Sequence, residues 1–161
     1  EIDSLGPSLV TFKFVWNKFA PPKIQFFCWL AWINIVKTTN FLQNIGVIQA
    51  TGPALCVFCK AEPESSIHVL LHCYFAWKVW AAMMDWWELQ GALPGSVEDI
   101  FHRWDCVNLN RKEKWIWKVI PLAVLWSLWK LRNECIFESA MPQLVDLCEL
   151  IKIRVALRLK Q

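Results

Sequence analysis

The stretch CVFCKAEPESSIHVLLHC, Cys56 to Cys73, holds three of the chain's seven cysteines and two of its three histidines within eighteen positions. Around it the sequence is apolar, 56% hydrophobic with twelve tryptophans, so ligand-type side chains are gathered here well beyond what composition alone would produce. Cys56 and Cys59 can form a tight turn that aims both sulfurs at one ion, and a second pair arriving from a helical segment completes a tetrahedron. His68 supplies one member of that pair, and the other is His72 or its neighbour Cys73. On a regular helix His68 and His72 lie about 40° apart around the axis and His68 and Cys73 about 140° apart. Unbroken helix therefore favours His72, and Cys73 requires the backbone to leave helix between Leu70 and Cys73.

Mixed thiolate and imidazole donors at this spacing point to zinc, since iron–sulfur clusters prefer four thiolates and copper sites use other ligand sets. Four protein ligands leave no position for water or substrate, which makes the expected ion structural. A redox role for the CxxC pair would need a βαβ setting that the surrounding sequence lacks.

Working outward, IQATGPALC carries turn chemistry at Gly52 and Pro53 and delivers the chain to Cys56 in an extended state. Before it, TTNFLQNIGV reads as a short helix capped by threonine and closed at Gly46. Earlier still, KIQFFCWLAWINIV predicts a mostly buried helix starting just after Pro21 and Pro22, with Phe26, Phe27, Trp29, Leu30 and Ile33 as its apolar stripe. The first twenty residues read as an irregular or extended lead-in.

Downstream, YFAWKVWAAMMDWWELQG predicts a helix with Phe75, Val79 and Met83 spaced at four and Gly91 as its stop. Ser96 can cap a short helix with Asp99 three residues on, and His102 on that piece has an ordinary surface or packing role. RKEKWIWKVIPLAVLWSLWKLRNECIF and PQLVDLCELIKIRVALRLK predict two long helices, the second with Arg154 and Arg158 on one face. No strand is signalled. The expected fold is all-α, a helical domain with a zinc-stapled loop between short and long helices.

At 161 residues the chain can bury the core of one domain. Its most apolar run, Trp115 to Leu131, has only eleven uncharged residues between Lys118 and Lys130; a spanning helix needs roughly 20, so no membrane segment is expected and the run reads as a buried helix kinked or started near Pro121. An odd number of cysteines excludes a complete disulfide framework, and Cys28, Cys106, Cys135 and Cys148 read as small buried hydrophobes. A reducing, intracellular setting follows. The formal charge of +3 is low for capture of nucleic acid by bulk electrostatics. No leader is visible, and a first residue of Glu1 in place of methionine suggests a piece of a longer protein. Paired nucleophile and histidine, phosphate-cradling glycines and clustered carboxylates are all missing from the sequence, so no catalytic residue is expected.

Three segments in order, FAPPKIQFFCWLAWINIVKTTNFLQNIGV, CVFCKAEPESSIHVLLHCYFAWKVW and LWSLWKLRNECIFE, resemble the zinc-binding domain that follows the reverse transcriptase in plant LINE-type (non-LTR) retroelements. The resemblance implies Cys56, Cys59, His68 and Cys73 as the ligands of a structural zinc. It also implies a division into a lead-in at 1–13, the zinc-binding domain at 14–90 and a helical C-terminal extension at 91–161 packed on it. In that family the module follows polymerase and endonuclease domains and is taken to contact nucleic acid, which implies RNA or DNA, as template or target, and the reverse transcriptase domain itself as partners. Candidate phosphate contacts are Lys60, Lys78, Arg111, Lys112 and Lys114. The competing expectations are a protein-interaction module docking on the polymerase, for which twelve tryptophans are well suited, and a decayed element without activity.

Overall fold

Proline pairs and capping residues set the helix starts. In a computed structural model, which describes residues 9–111 and 113–157, seven α-helices and one π-helical turn account for the regular structure. Helix α1 spans Leu9–Val15, which corrects the irregular lead-in expected for that part of the chain. Tertiary burial of Thr11, Phe14 and Val15 holds it. Phe14 stacks on Phe101 with ring centroids 5.2 Å apart.

Helix α2, Pro22–Trp32, begins on the second proline itself, whose fixed φ and missing N–H suit a first helical position. Its buried face is Ile24, Phe27, Cys28 and Ala31. The expected stripe is thus rotated: Phe26 and Ile33 are exposed. Helix α3, Thr39–Asn44, is capped by Thr38, whose hydroxyl oxygen accepts from the N–H of Phe41 at 3.2 Å. It closes as predicted, with Gly46 at φ 74.

Helix α4, Tyr74–Trp86, stops well before Gly91 because Glu88 takes the left-handed conformation, φ 54. Of the three residues spaced at four, Val79 and Met83 are buried and Phe75 is half-buried. Helix α5, Val97–Asp105, starts at Ser96, whose hydroxyl oxygen accepts from the N–H of Asp99 at 3.0 Å. His102 sits half-exposed 3.5 Å from Glu98, a surface pairing. Helix α6, Lys114–Phe137, runs through Pro121, which offers no N–H to the carbonyl one turn back. Helix α7 is Leu144–Ala156; Arg154 on it donates to the Ser127 hydroxyl of α6 at 2.6 Å, while Arg158 lies outside the described residues.

Helix α6 is the spine, touching α2, α4, α5 and α7. Its buried residues include an unbroken run from Val119 to Leu125. Buried residues from α1 to α7 form one apolar cluster. Tryptophans make its centre: Trp80 meets Trp104 edge to face at 5.9 Å, and Trp104 stacks on Trp117 at 5.5 Å. Such pairs add about 0.5–1.5 kcal/mol each beyond the burial of their area. Two of these three indole N–H groups are hydrogen-bonded, and that of Trp104 is buried with no partner among the described residues. The Trp80 indole N–H donates to the Leu70 carbonyl at 2.9 Å and that of Trp117 to the Trp104 carbonyl at 2.6 Å.

Of the four isolated cysteines, Cys28 and Cys148 are buried as expected, but Cys106 is exposed and Cys135 half-buried. Among the described residues no helix is long and apolar enough to cross a membrane, and no strand forms, only an isolated antiparallel bridge between Leu55 and Pro63.

Candidate metal centre

That bridge folds the CxxC segment into a knuckle. The N–H of Cys56 donates to the Glu62 carbonyl at 2.8 Å, the N–H of Glu64 to Ala54 at 2.7 Å, and the N–H of Lys60 to Cys56 at 2.8 Å. Lys60, at φ 55, supplies the left-handed step that turns the chain back. The knuckle also aims the N–H groups of Phe58 and Cys59 at the Cys56 sulfur.

The second pair comes from the π-turn, His68–His72. Here the N–H of Cys73 donates to the carbonyl of His68 at 2.7 Å, five residues back in place of four. This wider turn gives His68 and Cys73, far apart on an α-helix, a common side. Cys73 itself is extended, φ −58 and ψ 139, before α4 resumes. His72 turns outward, its Nε2 3.0 Å from the Gly95 carbonyl. Geometry therefore separates the two neighbours: Cys73 faces the cluster and His72 does not.

One ligand atom from each of Cys56, Cys59, His68 and Cys73 lies within 4.8 Å of all the others. The Cys56 and Cys73 sulfurs are 3.8 Å apart, and the Cys59 sulfur lies 3.4 Å from His68 Nε2. Tetrahedral zinc with ordinary bond lengths requires sulfur–sulfur edges of about 3.8 Å and sulfur–nitrogen edges of about 3.5 Å. The donor set and its dimensions fit Zn(2+), with no ligand position left open.

The thiols are electrostatically paired. Cys56 is pushed up from the ordinary thiol range by its hydrogen bond to Cys73 and then by burial, whereas Cys73 is drawn down by the same hydrogen bond, with the N–H of Phe75 and Ala76 at the start of α4 helping against burial. The Cys56 thiol donates to the Cys73 sulfur, a bond that favours the thiolate at Cys73. A zinc ion would bind both as thiolates, displacing thiol protons.

A buried ion pair that sequence reading missed fixes this centre to the helical body. Glu64 and Arg132 are 1% and 4% exposed. Arg132 of α6 donates to Glu64 through Nη2 and, at 3.3 Å, through Nε. The same Nη2 reaches the Thr39 hydroxyl at 3.1 Å, and the Thr39 N–H donates to Glu64 Oε1 at 2.9 Å. The guanidinium also lies over Trp129, 4.8 Å from its centroid. The knuckle, α3 and α6 meet in one network. A signal was present: Leu125, Leu128 and Arg132 share one helical face, and an arginine on a buried stripe requires a buried acid.

The candidate phosphate contacts are dispersed. Lys60 is exposed on the knuckle, Lys78 half-buried on α4, and Arg111 and Lys114 exposed at the start of α6; Lys112 lies outside the described residues.

Residues 4–80 match the model of a protein family described as zinc-binding in reverse transcriptase. No curated protein and no solved structure matches the chain.

Proposed function

We propose, taking residues 4–80 as a zinc-binding domain of the reverse transcriptase type, that this chain is the zinc-stabilised accessory module of a retroelement reverse transcriptase, of the plant LINE kind. On this reading Cys56, Cys59, His68 and Cys73 hold a structural Zn(2+), residues 14–90 form the zinc module and residues 91–161 a helical extension packed on it. The module contacts RNA or DNA without performing catalysis, inside the cell. The observation that carries the reading is the Cys3His cluster, closed to 4.8 Å within the family-matched segment.

Charge supports the nucleic-acid part. Residues 4–80 hold six basic side chains and only two acidic ones, Glu62 and Glu64, and Glu64 is already paired with Arg132. The modest overall charge hides a segment that is distinctly basic, the property phosphates recognise. The test is binding of zinc-loaded protein to single- and double-stranded RNA and DNA across a salt series. Affinity at low salt that falls steeply with added salt supports the reading; absence of binding at low salt overturns it.

A second reading, docking on the polymerase domain, is favoured by α7 and its C-cap, where Leu150, Ile153 and Leu157 are 40%, 53% and 51% exposed at i, i+3 and i+7. An apolar stripe of this kind suits a protein partner. Both contacts can coexist, since they use different elements.

A further inference from the structure

Immediately after Cys73, α4 turns two aromatic rings outward. Tyr74 is 66% and Trp77 49% exposed. Their ring planes are 9° from parallel with centroids 6.0 Å apart. The exposed pair Phe12 and Trp16 is tilted by 44°, and exposed Phe26 meets half-buried Trp29 at 36°. Lys78, the next residue on that face, holds its Nζ 4.4 Å from the centre of the Tyr74 ring. Beside Trp77 lies an open hollow of about 310 Å³ whose wall mixes the apolar side chains of Ala81, Met84 and Leu93 with Asp85, Gln90 and the backbone at Gly91.

We propose that Tyr74 and Trp77, with the hollow beside Trp77, form a stacking site for the bases of a single-stranded nucleic acid, and that Lys78 takes an adjoining phosphate. The inference rests on the nucleic-acid reading above and gives it a place. Parallel, solvent-facing rings expose flat apolar area on which planar bases of any sequence stack. The hollow offers apolar side chains beside polar ones, Asp85 and Gln90, a lining that suits the flat face and the polar edge of a base. Lys78 is the matching cation: its ammonium rests on Tyr74 only through a cation–π contact, from which a phosphate can draw it. Paired bases in a duplex present no such faces, so the site selects unpaired strands. Because Tyr74 follows a metal ligand directly, the platform is anchored to the zinc centre and needs little ordering on binding.

The experiment uses the zinc-loaded full chain and fluorescein-labelled oligouridine, oligothymidine and a matched duplex, read by anisotropy over a salt series. Tyr74→Ala and Trp77→Ala should each weaken single-strand binding on the order of 5- to 100-fold with the salt slope unchanged and the zinc content intact. Tyr74→Phe and Trp77→Phe should retain most of the affinity, and Lys78→Gln should lower the salt slope by about 0.7. Wild-type binding that survives both alanine substitutions overturns the platform and leaves the nucleic-acid reading standing elsewhere on the surface. No wild-type binding at all overturns both. Alanine variants that bind oligonucleotides normally but lose a separately added reverse transcriptase domain would make this a protein-docking face, and the proposal fails.

Discussion

Replacing Arg132 by methionine leaves the Glu64 carboxylate 1% exposed with the Thr39 N–H as its remaining donor in the network described above. Methionine can occupy the aliphatic part of the space and keep some contact with Trp129, so the loss is chiefly electrostatic. Breaking one side of a buried pair costs about 3–5 kcal/mol, because the surviving charge has neither water nor partner. With a urea dependence of about 2 kcal/mol per molar, that is a fall of about 1.5–2.5 M in the unfolding midpoint of the zinc-loaded protein. Glu64→Leu combined with Arg132→Met removes both charges and should recover much of the loss, since an apolar replacement of a buried pair is often neutral or better. Hydrogen exchange should show the single variant loosening first at α3 and the knuckle, where Thr39 and Glu64 sit. A single-variant loss below about 1 kcal/mol, the scale of exposed pairs, would refute the reasoning, as would a double variant no more stable than the single one.

The centre and the caps give further expectations. Cys73→Ala should abolish tight zinc binding, read by competition with a chromogenic chelator, and speed hydrogen exchange over residues 50–80, whereas His72→Ala loses one exposed contact and should keep its zinc at a cost under about 1 kcal/mol. In zinc-loaded protein a maleimide should label exposed Cys106 fastest, while Cys28, fully buried and with its thiol pushed up by that burial, stays protected; the zinc-ligand thiols should react only after chelation, followed by peptide mass spectrometry. Ser96→Ala removes the hydroxyl that accepts from Asp99 and should cost about 1 kcal/mol in denaturant unfolding.

Much of this was legible because it is local. The CxxC pair, the caps at Thr38 and Ser96 and the stop at Gly46 follow from rules that operate within a few residues. Even the π-turn was visible as a requirement, since Cys73 could face His68 only if the helix gave way between Leu70 and Cys73. What failed depended on distant partners. Helix α1 exists because Phe14 finds Phe101, eighty-seven positions on. The face of α2 was misjudged because α6 selects it: the Cys28 thiol lies 3.9 Å from the Leu122 carbonyl of α6, and the ring of Phe27 packs on Trp126 and Trp129, while Phe26 is left in solvent. The Glu64–Arg132 pair spans sixty-eight positions and no local pattern joins its halves. Cys106 and Cys135 were assigned to the core on composition, a weak guide at the ends of helices.

The π-turn has a bearing on how the chain can change. Deleting one residue between His68 and Cys73 would let the segment relax into ordinary helix, and α4 would then start about 100° out of phase. Val79 and Met83 would swing out of the core, and Tyr74, Trp77 and Lys78 would swing toward it. The number of residues between two metal ligands is therefore also the setting that decides which side chains α4 shows to the outside. Substitutions on that face act one at a time; a length change of a single residue upstream of it acts on the whole face at once.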